Sequence, residues 1–198
     1  MSKTERKINT QKLVLGAIFT ALVIILQLMG SFIRFGPFSI SLVLIPIVLG
    51  AATCGVWIGA WLGFVFGVAV LISGDAAAFL AISVPGTIIT VLLKGIACGL
   101  AAGLVYKLVK KLNRYVAVIA AAIVCPVVNT GVFLLGCWVF FLDTINLWAI
   151  SSGAAFKSTF EYMILGLVGG NFIFELISNM ILSPIVVRIL NIEKKSKF

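Results

Sequence analysis

The sequence predicts an all-α fold, a polytopic membrane bundle of about six transmembrane helices. Three observations predict it. Of the 198 residues, 62% are hydrophobic and 11% charged, against roughly 25% charged in an ordinary soluble domain. The apolar residues gather into runs near the ~20 residues a helix needs to cross a hydrocarbon core. These runs are apolar on all sides, whereas barrel strands alternate polar and apolar residues. A soluble chain of this length also has too little interior to hide so much apolar surface. The whole chain, 1–198, is therefore read as a single membrane domain with no soluble catalytic part.

Six spans follow in order. The first is 11–30. Its basic lead-in resembles a signal peptide, but the apolar run is longer than the usual ~7–15-residue core of one, and no clear cleavage site precedes a soluble domain. It is read as a retained helix. Arg34, Gly36 and Pro37 come next, with Gly-Pro marking a turn. The second span, 39–52, is short and contains Pro46, which removes a backbone donor and is expected to kink it. The third is 56–73. The fourth, 85–109, opens with Pro85 at a favourable helix start. The fifth, 115–141, carries Pro126. A stretch at 142–161 is expected to be the longest irregular segment, of a length usually functional or mobile. The sixth span is 162–190, with Pro184 near its end.

Charge sets the orientation. The net charge is +9, and twelve of the fifteen Lys and Arg residues fall in three clusters beside the apolar runs. Lys3, Arg6, Lys7 and Lys12 precede the first span; Lys107, Lys110, Lys111 and Arg114 join the fourth to the fifth; Arg188, Lys194, Lys195 and Lys197 close the chain. This is the positive-inside pattern, so both termini are expected in the cytoplasm of a multi-pass cell-membrane protein. Basic ends of this kind meet lipid headgroups and not a nucleic-acid groove.

Several chemistries are disfavoured. The chain has no His, and Cys54, Cys98, Cys125 and Cys137 lie in apolar runs without CxxC spacing. They read as small packing residues, and neither a metal site nor a Ser-His-Asp triad is expected. No cofactor motif or phosphate-binding loop is present, so ATP hydrolysis would need another chain. An intramembrane enzyme would have only Glu175 and Asp143 as acids near the spans, with no nucleophile beside them.

Small residues form stripes. Gly55, Gly59, Gly63 and Gly67 recur every fourth residue on the third span, and Gly95, Gly99 and Gly103 on the fourth. Such stripes let helix backbones touch, either inside this bundle or against another membrane protein. Ala17 and Ala21 make a similar pair on the first span.

Polar groups inside the hydrocarbon are costly and normally face a partner or a cavity. Lys94 lies on the fourth span, Asn129 with Thr130 on the fifth, and Asn171, Glu175, Ser178 and Asn179 share one face of the sixth. Two readings stand. Lys94 and Glu175 pair as glue between helices, or these groups line a solute pocket. In such a pocket Lys94 would meet a carboxylate or carbonyl, Asn129, Asn171 and Asn179 would supply amides, and Trp138, Trp148 and Tyr162 would cover an apolar body. The same aromatic residues also serve as interface anchors. A stand-alone small-solute channel or secondary carrier is the alternative class, with Lys94 and Glu175 on an ion path.

A family resemblance joins these features. The basic start before the 13–22 run with its Ala17-x-x-x-Ala21, the 38–51 run around Pro46, the Gly59-Ala60-Trp61-Leu62-Gly63 run, Lys94-Gly95, and Cys125-Pro126 with Asn129-Thr130 resemble the substrate-binding S component of energy-coupling factor (ECF) vitamin transporters. The resemblance spans most of the chain and rests on order, size and span number more than on any one motif. It implies tight binding of a vitamin or related micronutrient from outside. It implies partnership with a membrane coupling subunit and two cytoplasmic ATPase subunits. It also implies that Ala17 and Ala21 face the coupling subunit, and that the loops after the first, third and fifth spans gate the site. A carboxylate-bearing substrate such as pantothenate would suit Lys94 and Arg34. If Glu175 neutralises Lys94, riboflavin or a pyrimidine precursor fits as well.

Overall fold

A computed structural model describes residues 10–31, 34–35, 38–39, 42–153 and 156–195, with side chains for these up to Ile185 but not for 34–39. Lys3, Arg6, Lys7, Gly36, Pro37 and Lys197 lie outside the described residues, and Arg34 is described by its backbone alone.

The bundle is helical apart from one small hairpin. Helix α1 spans Thr10–Gly30, and β1 (Arg34–Phe35) pairs antiparallel with β2 (Phe38–Ser39). Then come α2 (Leu44–Cys54), α3 (Val56–Ser73), α4 (Ala77–Leu80), α5 (Val84–Val109) and α6 (Arg114–Phe140). Helix α7 (Leu142–Ser151) and the single turn α8 (Thr159–Glu161) follow, then a π-helical stretch, Tyr162–Gly169, that runs directly into α9 (Gly170–Lys195). Among the described residues, five helical segments are long and apolar enough to cross a bilayer, and α2 is a shorter apolar sixth.

Helix α2 departs from expectation in an informative way. It starts at Leu44, so Pro46 falls in its first turn. There a missing N–H costs nothing, because the first amides of a helix have no acceptor within it. Pro46 therefore starts the helix where a kink was expected. Nearly every residue of α2 is buried, as suits a helix apolar on all faces. It forms the centre of the bundle, touching α1, α3, α5, α6 and α9.

The ends of the long helices follow from local chemistry. Gly55, at φ 112°, separates α2 from α3, and Gly74, at φ 82°, ends α3 in a left-handed conformation that only glycine adopts without strain. Ser83 caps α5, its hydroxyl accepting from the Gly86 amide at 3.3 Å, with Pro85 in the first turn. Asn113 caps α6, its side-chain oxygen accepting from the Tyr115 and Val116 amides.

The stretch expected to be irregular is largely helical. In α7, Ile145 and Ala149 are buried while Leu147 and Ile150 are exposed. A one-sided apolar pattern of only 10 residues is too short to read as a span, yet it docks firmly on the end of α6.

The two glycine stripes face each other, which settles them as internal packing. A Cβ on Gly59 would lie 2.6 Å from the Gly99 carbonyl oxygen, and one on Gly63 would overlap the Gly95 carbonyl. The α3–α5 contact is the most extensive in the bundle. Gly55 stands apart from this seam, with open space where a side chain would go.

Candidate functional site

The costly polar residues gather at one end of the bundle, around a cavity of ≈ 80 Å³. It lies where α3 and α6 end and α5 begins, opposite the basic turn of Lys107, Lys110, Lys111 and Arg114. Its polar wall comprises Gln27, Asp75, Thr87, Thr90, Lys94, Asn129, Thr130 and Asn171. Its apolar wall includes Phe66, Phe79, Phe133 and Phe141.

Lys94 extends from α5 with its ammonium over two rings, 5.5 Å from the centroid of Phe66 and 5.2 Å from that of Phe133. Aromatic faces attract cations, more strongly when water is excluded. Among the described residues, Lys94 has no hydrogen-bond partner and no ion pair. The direct Lys94–Glu175 pair considered from the sequence does not form.

Glu175 stands behind the wall instead. Asn171 donates its Nδ2 to Glu175 Oε1 at 3.0 Å, one helical turn away. The Asn129 side chain lies close to the same carboxylate. Asn179, fully buried, donates its Nδ2 to the Glu175 backbone oxygen at 2.9 Å. These contacts leave Thr90 Oγ1, Asn129 Oδ1, Asn171 Oδ1, Glu175 Oε2, Asn179 Oδ1 and Ser183 Oγ buried without a partner among the described residues. Buried polar atoms normally find partners, and three of these six belong to residues that line the cavity, Thr90, Asn129 and Asn171.

Aromatic and polar groups close the outer end. Gln27 of α1 donates to Ser73 at 3.3 Å and to Asp75, tying α1 to the turn after α3. Phe79 of α4 packs edge-on against Phe133, Phe141 and Trp148.

Of the residues singled out from the sequence, Lys94, Asn129 and Asn171 meet at this cavity. Glu175 and Asn179 lie next to it without reaching it. Trp138 points away: it is 63% exposed and lines an outer groove with Phe160 and Ile164. Trp148 touches the cluster around Phe79. Ala17 and Ala21 lie on an exposed face of α1.

Sequence reasoning missed Gln27, Phe66, Thr87, Thr90 and Phe133. A helical-face signal was present for two of them, since Thr87, Thr90 and Lys94 fall at i, i+3 and i+7 on α5.

A family model described as ECF transporter, substrate-specific component, matches residues 11–190. No curated protein and no solved structure matches the chain. With nearly its whole length covered and an apolar multi-helix bundle carrying a polar cavity, the chain belongs to the family of ECF transporter substrate-specific components, which are membrane transport proteins and not enzymes.

Proposed function

We propose that this subunit captures a vitamin or a related micronutrient from outside at the Lys94 cavity and delivers it inward. Delivery proceeds with a membrane coupling subunit and two cytoplasmic ATPase subunits. One observation carries the reading. A lysine without a hydrogen-bond partner lines a small cavity together with Thr90, Asn129 and Asn171, polar residues brought there from α5, α6 and α9. Holding such groups in the hydrocarbon region is expensive, and a polar solute that meets them offsets the cost. Pantothenate offers Lys94 a carboxylate, and riboflavin or a pyrimidine precursor offers a carbonyl. Both termini lie in the cytoplasm in this reading, supported by the lysines of the α5–α6 turn.

The test is to purify the chain and identify by mass spectrometry what travels with it. A single small nutrient, retained by the parent protein and lost from Lys94→Ala, is the expected result. Absence of any bound molecule, with no affinity across a vitamin panel, would overturn the reading.

Two variants separate capture from delivery. Asn129→Ala is expected to weaken binding by about 1–3 kcal/mol, the usual range for deleting a hydrogen bond in a dry site; titration of the purified protein measures it. Ala17→Trp or Ala21→Trp places an indole on the exposed face of α1. It is expected to abolish ATP-dependent uptake in cells while leaving affinity unchanged, because it blocks only the approach of another helix. Equal loss of binding and uptake would show that this face supports the fold.

A further inference from the structure

A second groove, of ≈ 480 Å³, opens at the end of the bundle opposite Lys94, where several helix ends meet. Lys12, in the first turn of α1, lines it together with Lys107 and Lys110, in the last turn of α5 and just past it. The end of α2 and the start of α3 make much of the remaining wall. Gly55 stands between them, and no atom lies within 4 Å of where its side chain would begin. Among the described residues, no acidic side chain lines this groove, and none of the three lysines has an ion pair or a hydrogen-bond partner. The carboxyl end of α2 adds only about half a negative charge, against three positive ones. Like charges gathered on one wall repel each other, so the groove favours an anion.

We infer that this groove holds an anionic phospholipid, with its phosphate among Lys12, Lys107 and Lys110 and the upper part of an acyl chain along Trp57 and Leu104. Two observations favour a lipid over a soluble anion. The first is the mixed wall: beside the lysines stand Trp57, 82% exposed, and Leu104, 49% exposed. A free phosphate would leave that apolar surface unused, whereas an acyl chain covers it. The second is the level of the groove. Trp57 lies in the first turn of α3, Lys12 in the first turn of α1 and Lys107 in the last turn of α5. Ends of apolar spans sit where hydrocarbon meets headgroups, and there tryptophan anchors and lysine reaches outward. Diffuse attraction of anionic lipid to a basic turn is general. A built site is distinguished from it by position: Lys111 and Arg114 belong to the same turn but do not line the groove. The inference is independent of the Lys94 cavity at the other end.

The experiment is native mass spectrometry of the purified full chain in detergent. Phosphatidylglycerol and a phosphatidylcholine with the same acyl chains are added in equal amounts. The parent protein is expected to retain phosphatidylglycerol at least about twentyfold better. Lys107→Gln combined with Lys110→Gln is expected to cut that preference by about tenfold. Lys111→Gln combined with Arg114→Gln removes the same charge from the same turn and is expected to change it by less than about twofold, because neither residue lines the groove. Thr53→Trp fills the groove and leaves every charge in place. It is expected to release the lipid as well, which keeps the test open if the Lys107 and Lys110 pair fails to fold. Excess inorganic phosphate is expected to leave the lipid bound. Equal losses in the two charge pairs would reduce the site to diffuse attraction and overturn the proposal. So would retention by Thr53→Trp, displacement by phosphate alone, or no preference in the parent protein. The mass of a retained lipid is distinct from that of a nutrient, so this inference and the importer reading fail separately.

Discussion

Gly63→Leu is expected to leave almost no folded protein in the membrane. Even one carbon at this position would overlap the carbonyl of Gly95, and the reverse holds for a carbon on Gly95 against Gly63. The obstruction is backbone on both sides, so no side chain can swing away. Overpacking a forgiving core costs about 1–3 kcal/mol. Here two whole helices would have to part, and total stabilities are only about 5–15 kcal/mol. Lipid offers no hydrophobic force to hold them together at a wider spacing, because close packing is what binds helices in a bilayer. Size-exclusion profiles and melting temperature in detergent measure the effect. Gly131, with open space around it, supplies the control: Gly131→Ala is expected to leave the melting temperature unchanged or slightly raised. A Gly63→Leu protein that melts like its parent would mean that the two backbones are not in contact.

Lys94→Met is expected to abolish substrate retention while sparing the fold. A hydrogen bond to a charged group is worth about 1.5–3 kcal/mol, which corresponds to a loss of affinity of roughly tenfold to a hundredfold or more. Methionine has similar length and needs no counter-charge, and its thioether packs well against the rings of Phe66 and Phe133. Replacing an interior charge by an apolar group of similar volume is often neutral or stabilising, so the melting temperature is expected to hold or rise. Equilibrium dialysis of the purified variant against the molecule recovered from the parent protein measures the first effect and a thermal melt the second. Unchanged affinity would remove Lys94 from the binding site and leave it a role between helices.

The spans were legible because hydropathy and length speak directly about lipid. The third span, expected at 56–73, is α3 as observed, since Gly55 and Gly74 break the chain on either side. The fourth and fifth shift by one residue, to the caps at Ser83 and Asn113. Helix α7 was not legible, because 10 residues with two buried positions fall below any membrane signal. For the site, an intramembrane Lys, Asn or Glu stands out against an apolar background, so Lys94, Asn129, Asn171 and Glu175 could be found. Thr87 and Thr90 share a helical face with Lys94, but that face alone did not single them out, because threonine commonly satisfies its hydroxyl on its own helix, as Thr87 does on the Ser83 carbonyl at 2.7 Å. Trp138 faces the outer groove and not the Lys94 cavity, since chain position cannot tell which side of a helix faces inward when every side is apolar.

The seam between α3 and α5 also constrains how a nutrient gets in. Phe66 and Val70 project from one of these helices, and Thr87, Thr90, Val91 and Lys94 from the other. With backbone against backbone, the pair leaves little room for one helix to shift against the other. A space of ≈ 80 Å³ falls well short of the ~300–1,000 Å³ usual for organic ligands. The enlargement must therefore come from the other half. That half is lined by Gln27 of α1, by the short stretch that carries Asp75 and Phe79, by Asn129 and Phe133 of α6, and by the π-wound turns and the start of α9 that carry Leu167, Val168 and Asn171. In the proposed reading, a substrate widens the chamber against the α3–α5 seam, so the glycines of that seam matter to uptake as much as the residues that line the cavity.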